Sequence, residues 1–176
     1  MLKPLDTLVA LKYASLSREK SPDRDLGMRE IGESIGISGA EISRSTKRLI
    51  LANLLSAKNS KPQSLNLREW IEHGIRFAMP IEIEGFGRGM ATGFDCQLIE
   101  SSMVAKTQPW VWGSNIGNES GTIIKPIYKT VPIAADNDPW LYQTLSVADI
   151  FRGGKPREIR EAKPILGSLM AEIKRN

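Results

Sequence analysis

The chain has 176 residues, 41% of them hydrophobic, which suits one large domain or a DNA-binding domain with a second small lobe and excludes wholesale disorder. No apolar run approaches the ~18 residues of a membrane span, the N-terminus is too short and polar for a signal peptide, and the one cysteine, Cys96, excludes a disulfide framework and points to a reducing cytoplasm. The net charge of +4 lies wholly in residues 1–80, with 13 Lys+Arg against 9 Asp+Glu, while residues 81–176 hold 11 of each, an asymmetry suited to a nucleic-acid-binding module beside a neutral one.

Residues 5 to 16 are expected to form a first helix, with Leu5, Leu8, Val9, Leu11 and Leu16 apolar and Ala10 and Ala14 allowing close approach. It serves either to pack behind the next elements or as part of a dimer interface. Residues 17 to 25 read as a charged loop, and Leu26 as one short strand position.

Residues 28 to 55, MREIGESIGISGAEISRSTKRLILANLL, organise the rest. Ile31 and Ile35 stand four apart on one helical face, and Gly36 supplies the left-handed conformation of a tight exit. Ser38 followed by Glu41 has the spacing of a capping box. The helix it opens carries Ile42, Thr46, Leu49 and Ile50 on its apolar edge. Ser43, Arg44, Lys47 and Arg48 fall on the outer face, with side chains suited to phosphates and guanine edges. Two helices joined by a short Gly-containing turn form a helix-turn-helix; the plain alternative is a helical hairpin with a polar surface.

The run ISGAEISRSTKRL resembles the turn and recognition helix of MarR-like winged-helix transcriptional regulators, a likeness extending over roughly residues 5 to 80. That resemblance implies a homodimer on double-stranded DNA, with Ser38, Ala40, Glu41, Ser43, Arg44, Lys47 and Arg48 on the element that enters the major groove. Arg44 and Lys47 are the best candidates for base or phosphate contacts. Arg48 could equally form a structural ion pair with a nearby Glu, and Glu41 could accept from a cytosine amine or simply complete the cap.

SAKNSKPQSLNL reads as a small β-hairpin, the wing, with Lys58 and Lys61 at its tip placed to touch the flanking backbone; a solvated loop is the alternative. Asn66 then caps a helix with Leu67, Trp70, Ile71, Gly74, Ile75 and Ala78 at three- and four-residue steps, ending before Pro80. REWIEHGIRFAMP resembles the segment after the wing in a subgroup of bacterial winged-helix regulators whose genes often neighbour nucleotidyltransferase genes, some of the toxin–antitoxin type.

Residues 81 to 93 read as a Gly-rich linker; they lack both the Gly-Lys-Ser/Thr ending of a P-loop and the setting of a dinucleotide fingerprint, so no cofactor is expected. Residues 94 to 104 suggest a short helix, and PWVWG and GTIIKPIY two short strands. Trp110, Trp112 and Tyr128 could line a ligand cage or fill a small core. Asp138 and Pro139 open a helix that Gly153 stops, and a second helix runs from Pro156 to Lys174, bent near Pro164. Leu166, Leu169, Met170 and Ile173 form its apolar stripe, expected to be an interface.

The expected fold is mainly α (α+β). A winged helix-turn-helix domain spans residues 1–80, the linker residues 81–93, and a smaller mixed region residues 94–176, ending in a helical hairpin. One His and one Cys in separate segments offer no metal site, and no catalytic pairing appears, so a non-enzymatic role is expected. The leading expectation is a sequence-specific DNA-binding repressor. The alternative is an antitoxin-like protein whose C-terminal half neutralises a nucleotidyltransferase-type toxin while the protein represses its own operon.

Overall fold

A computed structural model describes residues 1–18, 27–100 and 108–173. The chain is mainly helical with a small three-stranded sheet, an α+β arrangement. Helix α1 (Pro4–Arg18) buries Leu5, Leu8, Val9, Leu11 and Ala14. Helices α2 (Met28–Ser34) and α3 (Gly39–Leu51) pack on each other, and α3 also packs on α1. A single bridge between Leu55 and Pro62 closes a short hairpin. Helix α4 (Ser64–Glu69) then runs through a π-helical turn, Trp70–Gly74, into α5 (Ile75–Ala78). The wide turn accommodates the Trp70 ring, whose Nε1 donates to Thr7 Oγ1 at 3.0 Å; a Cβ on Gly74 would lie 2.5 Å from that ring.

Strand β1 (Ile83–Thr92) pairs antiparallel with β2 (Trp110–Gly113) at its C-terminal end and with β3 (Glu119–Ile124) along its N-terminal part. β2 and β3 run parallel and meet at Trp110–Thr122 and Val111–Ile123, so the three strands close on themselves. Helix α6 (Val131–Asp136), α7 (Pro139–Gly153) and α8 (Pro156–Ala171) complete the chain. As expected, Asp138 caps α7, accepting from Leu141 N at 3.0 Å, and Pro139 sits in the first turn.

Helix α7 is the hub. It buries Leu141, Leu145, Val147, Ile150 and Phe151 and packs against α1, α5, α6, α8 and β1. One cluster of buried apolar side chains extends from Leu5 to Ile173, so both halves of the sequence share a core. Charged groups reinforce the junction. Lys12 Nζ meets Asp138 Oδ2 at 3.0 Å, and Ser15 Oγ donates to the same oxygen at 2.7 Å. Asp149, fully buried, accepts from Arg152 Nη1 at 2.6 Å, Trp112 Nε1 at 2.7 Å and Thr92 Oγ1 at 2.8 Å. Arg152 Nε also donates to Met79 O at 2.7 Å, and its terminal nitrogens reach Pro80 O and Lys125 O. Burial opposes the charge on Asp149 and the bonds from Arg152, Thr92 and Trp112 offset part of that cost, so removing one partner would strand a buried charge. The pair ties the end of α5, β1, β2 and the segment after β3 to α7.

The stretch at residues 81–93 is not the expected linker but contains β1. Its glycines permit close approach of neighbouring backbone: a Cβ on Gly89 would lie 2.1 Å from Trp112 O. The stripe of Leu166, Leu169, Met170 and Ile173, expected as an interface, is buried within the chain at 0, 3, 4 and 2% exposure. Helix α8 lays that stripe against α4 and α7, which supply the apolar cover that a partner was expected to give. The helix expected at residues 94–104 is reduced to a 3-10 turn, Gly93–Asp95, followed by irregular chain; residues 101–107 lie outside the described residues. Helix α4 starts at Ser64 rather than at Asn66, whose Nδ2 instead donates to Asn53 O at 2.8 Å. The strand position at Leu26 and most of the loop at residues 17 to 25 also lie outside the described residues.

Candidate nucleic-acid interface

Gly36 takes φ +70 between α2 and α3, the left-handed turn that the spacing predicts. Ser38 then stands extended as the N-cap of α3: Glu41 N donates to Ser38 Oγ at 3.3 Å, and Glu41 Oε2 accepts from Ser38 Oγ at 2.8 Å and from Ser38 N at 3.4 Å. The Ser38 hydroxyl bond, then the Ser38 N–H, hold the Glu41 carboxyl below its ordinary range; Arg44 and Lys129 add to the effect. Both capping side chains are therefore engaged with each other, and the Glu41 carboxylate completes the cap.

The inner face of α3 buries Ile42, Ser45, Thr46 and Leu49. Thr46 Oγ1 donates to Ile42 O at 2.9 Å and lies 3.1 Å from Tyr13 OH. Ser45 Oγ donates to Asp6 Oδ1 at 2.7 Å. Arg48 turns to the same carboxylate, its Nε 2.8 Å from Oδ2 and its Nη2 2.6 Å from Oδ1. The expected partner was a glutamate or DNA. The structure gives Arg48 to Asp6, 42 residues earlier, because α1 packs directly behind α3.

Of the other α3 residues expected to face DNA, Ala40, Arg44 and Lys47 are exposed and Ser43 is half-buried beside them; Leu51, at the end of the helix, is exposed as well. Among the described residues neither Arg44 nor Lys47 makes an ion pair. An exposed, unpaired cation on a helix whose backbone is rigidly capped is available to an anionic partner at little desolvation cost.

Beyond α3 the chain turns back at residues 56–61. Ser56 N donates to Lys61 O at 2.8 Å and Gln63 N to Leu54 O at 2.9 Å. Where a wing was expected the chain forms a hairpin held by one bridge, with Lys58 exposed in its turn and Lys61 exposed beside the bridge. Lys129, from just before α6, is exposed and acts electrostatically on Glu41 at the start of α3, while a Cβ on Gly36 would lie 3.4 Å from the Thr130 side chain. Sequence reasoning missed this neighbour, since nothing local links residues so far apart in the chain.

No family model, curated protein or solved structure matches this chain. What the surface can do therefore rests on its own geometry.

Among the described residues, no group of three or more His, Cys, Asp or Glu side chains could hold a metal ion. Trp112 is buried with its Nε1 bound to Asp149, a core role, and Trp110 and Tyr128 are half-buried against the same apolar cluster. An open cleft of about 430 Å³ lies elsewhere, lined by Met90, Leu98, Glu119 and Tyr142 among others. No helix among the described residues is long and apolar enough to cross a membrane.

Proposed function

We propose that the chain is a sequence-specific, winged helix-turn-helix DNA-binding regulator, a repressor acting as a homodimer in the cytoplasm, with α3 as its recognition helix. One observation carries this reading: α3 presents Arg44 and Lys47 outward with no ion pair among the described residues, while its third cation, Arg48, is consumed by Asp6. The contacts to DNA are thereby narrowed to Arg44 and Lys47, with Ala40 and Ser43 beside them and Lys58 and Lys61 on the flanking backbone. The antitoxin-like alternative gains nothing from the last helix, because Leu166, Leu169, Met170 and Ile173 are core; neutralising a toxin would have to use another face.

The test is fluorescence anisotropy on a fragment of the protein's own promoter across a salt series. Arg44→Ala and Lys47→Ala should each keep the wild-type melting temperature. A base-reading residue loses about 1–3 kcal/mol and relaxes one position of the site; a phosphate contact lowers the salt slope by about one unit. Unchanged affinity and slope in the double variant would rule this reading out.

A further inference from the structure

The turn between α2 and α3 rests on the C-terminal half of the chain. A Cβ on Gly36 would lie 3.4 Å from both Cβ and Cγ2 of Thr130 and 3.7 Å from Ile133 Cδ1. The corner that carries Thr130 is firmly set. Ile127 and Val131 are buried, Val131 N donates to Tyr128 O at 3.0 Å, and Ala134 N donates to Thr130 O at 3.0 Å. Between these anchors stands Lys129, exposed. Its ammonium acts on the Glu41 carboxylate in the first turn of α3, as Arg44 does, yet among the described residues Lys129 makes no ion pair. Glu41 is already held by Ser38 Oγ at 2.8 Å, so the charge of Lys129 stays available.

The length of α3 gives this position its meaning. Its 13 residues span about 20 Å. The major groove is about 12 Å wide, so a helix seated in it comes close to the sugar-phosphate backbone near both of its ends. Contacts there fix the position of the helix and carry no base information. Lys58 and Lys61 follow the C-terminal end of α3. Lys129 supplies the matching cation at the N-terminal end, from the other half of the sequence.

We propose that Lys129 is a DNA-contacting residue, its ammonium binding a backbone phosphate beside the N-terminal end of α3 while the hairpin lysines hold the backbone beyond the other end. This inference rests on the DNA-binding reading and deepens it, because it makes the C-terminal half part of the nucleic-acid surface. An ammonium meets a phosphate as a point charge, so Lys129 adds affinity for every sequence alike. Thr130 packed on Gly36 fixes the backbone of Lys129 relative to α3, which leaves only the lysine side chain to be ordered on binding.

The test is fluorescence anisotropy with the full chain on a fragment of the protein's own promoter and on an unrelated duplex of the same length, across a salt series. Lys129→Ala should keep the wild-type melting temperature, because the side chain is exposed and in no ion pair among the described residues. It should weaken binding to both duplexes several-fold and alike. The slope of log affinity against log salt should shrink by about 0.9, the counterion release of one phosphate. Lys129→Arg should restore affinity and slope. Lys155→Ala, which removes the same charge beyond the far end of α7, should keep the wild-type slope. If Arg44→Ala and Lys47→Ala weaken binding while Lys129→Ala changes neither affinity nor slope, this proposal fails and the DNA-binding reading stands. If Lys155→Ala lowers the slope as much as Lys129→Ala, net charge alone explains the effect and the proposal fails again. A wild-type chain with no salt-dependent binding to either duplex overturns both.

Discussion

Arg48 grips Asp6 through two nitrogens, at 2.8 Å and 2.6 Å, and thereby fastens α3 to α1. Asp6 is fully buried, and it also accepts from Ser45 Oγ and from Lys3 N. Truncating Arg48 to Ala strands a buried carboxylate with its counter-charge gone. The expected loss is about 2–4 kcal/mol, below the range for a wholly buried pair because the guanidinium side is partly exposed. Thermal melting should show a fall of roughly 5–15 °C. The fraction that remains folded should keep the wild-type salt slope on DNA, the opposite pattern to Arg44→Ala.

Acid should weaken the same junctions. Burial opposes the charge on Asp6, but the bonds from Arg48, Ser45 and Lys3 N–H outweigh it and leave its pKa below the ordinary 3.8. Burial likewise opposes the charge on Asp138, and Ser15, the Leu141 N–H and Lys12 outweigh it, again to below 3.8. A carboxylate with a depressed folded pKa adds stability that is complete above its unfolded value and is lost as pH falls through the folded one. Melting temperature should therefore decline from about pH 4 downward through these two groups. Asp138→Asn should flatten that decline; an unaltered acid slope would show that the linkage lies elsewhere.

Leu169→Asp places a charge where 3% exposure leaves no room for water. A charge without a partner in an apolar core costs several kcal/mol at least, a large share of the stability of any domain of this size. The variant should be unfolded or melt far below wild type. A soluble variant with a native melting temperature would show that α8 does not bury this stripe in its own chain.

A fragment ending at Pro80 contains α3 and the hairpin, yet it should not fold by itself. Helix α1 would lose α7, α4 would lose α8, and Lys12 would lose Asp138. Proton NMR of the fragment should show collapsed amide dispersion. Well-dispersed signals and a cooperative melt would mean that the N-terminal elements carry a sufficient core of their own.

Part of the candidate site was legible from short spacings. Ser38 with Glu41, and Gly36 in the turn, are exchanges between groups within three residues of each other, so the pattern of residues is the pattern of bonds. Arg44 and Lys47 point outward for the same reason, because helical period alone sets which face they share. A signal for β1 was also present: Gly85, Gly87 and Gly89 recur every second residue, the period of a strand, although glycine runs more often suggest a flexible connection.

By itself, then, the sequence determined the capped start of α3, the left-handed turn at Gly36, the Asp138–Pro139 start of α7 and the presence of short strands within PWVWG and GTII, all of which depend on neighbours in the chain. Only the tertiary structure decided that Arg48 belongs to Asp6, that Asp149 and Arg152 bind α7 to the sheet and the end of α5, and that the stripe on α8 is core. An ion pair is chosen by which elements come together in space, and an apolar face is satisfied equally by its own chain or by a partner. Neither choice is written in spacing, since the free energy that makes it comes from burial between segments far apart in sequence.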